Sequence, residues 1–147
     1  MRFEGNRDIP QPSAAVWQRL SDARFLVQCV PDVESVSASE ADRAVCIIRP
    51  GFAFVRGTLQ LTIQVAEATP ENRVRLFLQT KGIGSSSAAQ ASLVLIPQDA
   101  GTRIDWTVDV QSVGGLLKAV PQGLIKAAAQ KVIADVWTSV DAKLRNP

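Results

Sequence analysis

The sequence contains no histidine and no tyrosine. The commonest general acid–base side chain, which is also the commonest metal ligand, is therefore missing. A nucleophile–histidine–carboxylate arrangement cannot be assembled, and no cysteine–histidine zinc spacing exists. Catalysis would have to rest on carboxylates, arginine, lysine or cysteine. The expectation is a protein that is not an enzyme and that calls for no cofactor and no metal. Cysteine is scarce as well. Cys29 and Cys46 read as small buried hydrophobes with free thiols, as in a cytosolic protein. Apolar runs are short: none approaches the ~20 residues of a membrane-spanning helix, and Met1 leads into strand-like sequence without a signal-peptide pattern. A net charge of +2 gives no strong general attraction to nucleic acid or to anionic membranes, so no nucleic-acid partner is expected.

The 147 residues suffice for one domain with a substantial core. Their dominant feature is the C-terminal run Gly114–Arg145. On a helical projection Leu124, Ile125, Ala128, Val132, Val136 and Val140 share one broad arc, with Lys126, Gln130 and Asp141 mostly opposite. This predicts a long helix laid on an apolar surface, with Lys143 and Arg145 at the negative end of its dipole. Pro121 interrupts the run and pushes Val120 away from helical angles.

Upstream, strand signals dominate. Arg2–Ile9 alternates, with Phe3, Gly5, Arg7 and Ile9 on one face, until Pro10 and Pro12 end it. Ser13 is placed to cap a short helix and Asp22 a second, which Pro31 stops. Then come Glu34–Ser39, Ala44–Arg49, Phe52–Ala66, Arg73–Lys81, Ala89–Ile96 and Thr102–Val110. Gly57 marks a bulge or close approach in the third of these, and Gly82–Ser87 reads as a flexible hairpin connection. Short polar turns between such strands make an antiparallel meander with one packed face. The expected class is α+β: a curved antiparallel sheet of six to seven strands wrapped around a long C-terminal helix, with two short helices after the first strand. A cavity between such a sheet and its helix is the natural place for a ligand.

Particular stretches carry a family resemblance. They are the opening RFEG, PQPSAAVWQRLSD, LVQCVPDVESV, GTRIDW and VGGLL…GLIKAAAQKVIADVW. Cys29, Pro31, Glu34 and Ser35, with the pair Gly114–Gly115, are the most specific parts. In these the whole chain resembles the START-like (SRPBCC, helix-grip) superfamily and, within it, the carbon monoxide dehydrogenase G-subunit family. Two residues depart from that pattern: Asp32 stands where a glycine is usual, and Pro121 breaks the final helix. The resemblance implies an accessory protein that binds or carries a hydrophobic small molecule, lipid or quinone-like. It further implies a molybdenum hydroxylase-type enzyme as protein partner, and cytoplasmic placement with peripheral contact at the inner face of the membrane. Two other readings stay open: a polyketide cyclase/dehydrase-like enzyme, and a protein-binding accessory with a vestigial cavity.

Candidate lining residues for the cavity are Arg7, Trp17 and Phe25 from the N-terminal part. The sheet would add Leu61, Leu76, Leu78 and Trp106, and the C-terminal run Leu117, Val120, Leu124 and Ala128. Trp17, Trp106 and Trp137 would serve equally as core anchors, and Arg7 is either an inward cation or a solvated one. Gly114, Gly115, Leu116 and Pro121 bound a segment with weak joints at both ends. That segment is either a gate to the cavity or a static kink. Lys118, Lys126 and Lys131 give the early helix a basic edge near Leu116, Leu117 and Val120, interfacial or simply solvated.

Overall fold

Alternation builds the first strand: in β1 (Arg2–Ile9) Phe3 and Ile9 are buried and Gly5 and Arg7 half-buried, while Glu4, Asn6 and Asp8 are exposed. The structure, a computed structural model, describes residues 1–145. Helices α1 (Ser13–Leu20) and α2 (Ala23–Gln28) follow, then β2 (Val33–Ser39), β3 (Arg43–Ile48), β4 (Leu59–Thr69) and β5 (Arg73–Gly82). The chain continues through β6 (Ser85–Gln98), β7 (Gly101–Gly115), a 3₁₀ turn at Leu116–Ala119 and α3 (Gln122–Arg145). All seven strands form one antiparallel sheet in the order β1-β7-β6-β5-β4-β3-β2. The strands after α2 are a meander, and the first strand returns to pair with the last. The architecture is the expected α+β one.

The cap of α2 forms as expected, with the Asp22 carboxylate accepting from Arg24 N at 2.9 Å. The cap of α1 does not. Pro12 occupies the cap position without a side-chain bond, and Ser13 is already helical. Its hydroxyl instead meets Thr102 Oγ1 at 3.0 Å, while Thr102 donates to Gln11 O at 2.8 Å. That bond pair ties the start of α1 to β7 and satisfies the fully buried Thr102.

Two boundaries move in ways that shape the site. Phe52–Thr58 is not strand: Pro50 and Gly51 open it, Gly57 at φ +102° closes it, and β4 begins only at Leu59. The C-terminal run is not helical from Gly114, because Gly114 and Gly115 pair with Ser86 and Ser85 as the last rungs of the β6–β7 ladder. Gly115 has φ +63°, and a Cβ there would sit on Gly84 O, so only glycine fits. Val120 is extended at φ −79°, ψ 133°, as the residue before a proline must be, and the α-helix starts beyond it.

The core is uneven along α3. Trp137, Val140 and Leu144, near its C-terminus, are buried with Ile9, Val16, Leu20 and Ile104. Not one of its first fifteen residues, 122–136, is fully buried. The C-terminal part of the helix is docked. Ile133 and Val136, half-buried, pack against the same core, and the part of the helix before them spans a gap.

Candidate functional site

Strand register arranges the inward side chains of the sheet in rows. One row runs Leu61, Thr80, Ser87, Val113, and the next Ile63, Leu78, Ala89, Val110. Deeper rows are Val65, Leu76, Ala91, Val108, and then Val74, Leu93, Trp106, Gly5. Above them α3 presents Ile125, Ala128, Ala129, Val132, Ile133 and Val136. Between the two layers lies a cavity of about 370 Å³, within the usual range for small-molecule sites. Its width follows from side-chain size: Ala89 and Ala91 on the floor face Ala128 and Ala129 on the roof.

The inner end is aromatic. Trp106 and Trp137 pack with ring centroids 6.0 Å apart. Gly5 makes room for this, since a Cβ there would lie 2.8 Å from Trp106 Cζ2. Behind them, the Arg7 guanidinium carbon sits 5.8 Å from the Trp137 ring centroid, a cation–π contact on the side of β1. The flank is closed by Leu20 of α1 and Leu26 of α2. The outer end lies between Leu117 of the 3₁₀ turn and the Phe52–Thr58 loop. There the Phe52 and Phe54 rings stack 5.6 Å apart with planes 6° from parallel.

Almost nothing in the lining is ionisable. Asp32, exposed in the turn before β2, is its one charged residue. Cys46 lies fully buried in β3, beside Leu61 in the ladder, and Cys29 at the end of α2. Burial pushes both thiols up, so they stay protonated and are poor nucleophiles. Such a wall solvates hydrocarbon.

The carbon monoxide dehydrogenase G-subunit (CoxG) family matches residues 5–145. The chain belongs to that family. The matched residues take in most of β1, the other six strands and the whole of α3. No curated protein matches in sequence. Among solved structures, a conserved protein from Geobacillus kaustophilus superposes with a TM-score of 0.85 at 22% identity, covering 99% of this chain and 95% of that one. A START superfamily protein from Mycobacterium smegmatis does so with a TM-score of 0.69 at 10% identity, over 98% and 97%. At these identities the likeness shows the fold, which is START-like.

In this CoxG family member, Leu61, Leu76, Leu78, Trp106, Leu117 and Ala128 line the cavity. Five other residues expected there do not. Arg7 stands behind Trp137. Trp17 packs against the core from α1 with its Nε1 donating to Arg73 O at 3.3 Å. Phe25 is buried in the core under the Arg19 guanidinium, 5.4 Å from its ring centroid; α2 turns Leu26, one residue on, to the cavity instead. Val120 ends the 3₁₀ turn outside the lining. Leu124 is 52% exposed at the start of α3.

Of the residues bounding the suspected gate, Gly114 and Gly115 are ladder residues. Pro121 is exposed, and Leu116 is 68% exposed. Unforeseen contributors include Thr80, Ser87, Leu20, Leu26, Phe52, Phe54 and Val55. The last three are hard to foresee because their alternation resembles a strand, although Pro50, Gly51 and Gly57 on either side are loop signals.

Proposed function

We propose that this protein binds an apolar small molecule in the cavity between the sheet and α3, and takes it up at an anionic lipid surface. The observation that carries this is the partly docked α3. A helix whose apolar arc is without a core partner over its first eleven residues, ahead of Ile133, sacrifices stability unless a ligand completes the packing. The START-like fold and the CoxG family are in keeping with such a role.

The outer end supports uptake from a membrane. Leu116 hydrogen-bonds through its N–H to Gly84 O at 2.9 Å, and Ile83, 44% exposed, lies across from Gly57. These form an exposed apolar rim, and Leu124 at the start of α3 is exposed as well. Arg56, Lys81, Lys118 and Lys126 flank it, all exposed and without an ion pair among the described residues. The stretches 43–66, 72–98 and 110–134 contain no Asp or Glu at all. Apolar side chains ringed by unopposed cations suit insertion among anionic headgroups. No helix among the described residues is long and apolar enough to cross a membrane, so the contact would be peripheral. The family takes its name from carbon monoxide dehydrogenase, and we take a molybdenum hydroxylase-type enzyme as the partner that receives or supplies the ligand. The protein itself acts without turnover.

Transfer of a fluorescent apolar reporter between vesicles tests this. Transfer should accelerate when phosphatidylglycerol replaces phosphatidylcholine, and K118E/K126E should abolish that acceleration. Transfer that ignores both lipid charge and these lysines would refute membrane uptake. Failure of any apolar molecule to bind would refute the ligand role.

A further inference from the structure

Two hydroxyls interrupt the apolar wall. Thr80 and Ser87 face each other across β5 and β6, line the cavity, and are hydrogen-bonded to each other through their side-chain oxygens. Their row is the outermost of the four that line the cavity, between Leu61 and Val113. A pair of hydroxyls holds two hydrogens, and the mutual bond uses one. The second hydrogen and the spare lone pairs are left for another partner. The remaining polar side chains of the lining are Asp32, exposed at the rim, and the indoles of Trp137 and Trp106, the latter with its Nε1 buried without a partner against Gly5.

Charge is excluded by the same wall. Among the described residues no lysine or arginine lines the cavity, and Arg7 is separated from it by Trp137. A ligand carboxylate or phosphate beside Thr80 would lose its hydration with no cation to replace it, a cost one neutral hydrogen bond cannot offset. An uncharged oxygen loses far less and regains a donor.

We propose that Thr80 and Ser87 form a head-group subsite that selects uncharged amphiphiles with a carbonyl or hydroxyl oxygen, and discriminates against carboxylates. This rests on the cavity being a ligand site. The apolar remainder of the ligand then runs inward over Ala89 and Ala91 towards Trp106, with the oxygen near the outer end. A cross-strand Thr–Ser pair also occurs as plain sheet packing, and ligand preference separates the two.

The experiment measures displacement of the neutral dye N-phenylnaphthylamine from delipidated full-length protein. The competitors are dodecane, 2-dodecanone, 1-dodecanol and dodecanoate. Wild type should bind the ketone and alcohol about fivefold more tightly than dodecane, the equivalent of one neutral hydrogen bond, and dodecanoate most weakly. T80V/S87A should bring ketone and alcohol to within about twofold of dodecane, with dodecane itself unchanged or tighter. S87A alone, the milder change, should lose part of the preference and guards against misfolding of the double variant. Dodecanoate binding best, or an undiminished ketone preference in both variants, would overturn the subsite while leaving the cavity a ligand site. No displacement by any competitor, with no dye binding, would overturn both.

Discussion

Filling the cavity from its roof separates a ligand site from an ordinary core. Ala128 lies on the undocked part of α3 and lines the cavity opposite the sheet. Ala128→Leu adds three carbons, each worth about 0.8 kcal/mol when fully buried. Ala128 is only half-buried, and unfolded chains already bury some apolar surface. About 1 kcal/mol of stabilisation therefore remains, and the loss of helix propensity is small. For a chain of this length that raises Tm by roughly 2–4 °C. In a packed core the same substitution would cost about 1–3 kcal/mol, so the sign alone decides. Circular-dichroism melts of delipidated protein measure it, and dye titration measures the accompanying loss of binding, at least about tenfold for a displaced ligand group worth 1.4 kcal/mol. A lower Tm with unchanged dye affinity would show that the gap is closed in solution. The trade of stability for function would then have no place in this fold.

Asp22→Ala should destabilise by about 1 kcal/mol through loss of the α2 cap, and Asp22→Asn by less. The side-chain hydrogen bond from Arg24 holds the Asp22 carboxyl below its ordinary range. Its contribution is thus present above about pH 3.9 and lost as pH falls through the lower folded value. Denaturant titrations at pH 7 and pH 2.5 should show the gap between wild type and Asp22→Ala narrowing in acid. Neither Cys29 nor Cys46 should react with Ellman's reagent in the native protein, and both should react in guanidinium. Because burial raises both thiols, stability should also fall as pH rises past about 8.5, where only the unfolded chain readily ionises them. Gly5→Val should cost about 1–3 kcal/mol and alter tryptophan emission despite valine's better strand propensity, since any Cβ there meets the Trp106 ring.

Periodicity makes most of the fold legible. Every strand of the sheet overlaps a stretch with a strand signal, most of them alternating, and the α3 arc is visible from Leu124 to Leu144 because 3.6-residue spacing leaves a broad stripe. That arc cannot reveal that only its C-terminal part docks, since an apolar stripe looks the same against a core or a cavity. Likewise Phe52–Thr58 alternates like a strand but has no ladder partner, and partners are a property of register. The lining from β4, β5 and β7 is readable because alternation fixes a face. Arg7 and Ile9 do share the inward face, yet Trp137 stands between Arg7 and the cavity, a contact across more than a hundred positions that no local pattern encodes. Trp17 and Phe25 miss the cavity for a related reason. A short helix has a buried stripe, and which of its residues reaches past the core into a cavity depends on helix rotation by a fraction of a turn. Thr80 and Ser87 are indistinguishable from other strand hydroxyls until pairing places them side by side.

The placement of the ligand is tested most directly by contact quenching with 1-bromododecane, whose heavy atom quenches only indoles it nearly touches. Trp106 and Trp137 line the cavity, while Trp17 lies outside it with its N–H on Arg73 O. Emission from W17F should be strongly quenched in a saturable way, and emission from W106F/W137F, which retains only Trp17, should be unaffected at the same concentration. Equal quenching of the two variants, or quenching confined to Trp17, would contradict a ligand site between the sheet and α3.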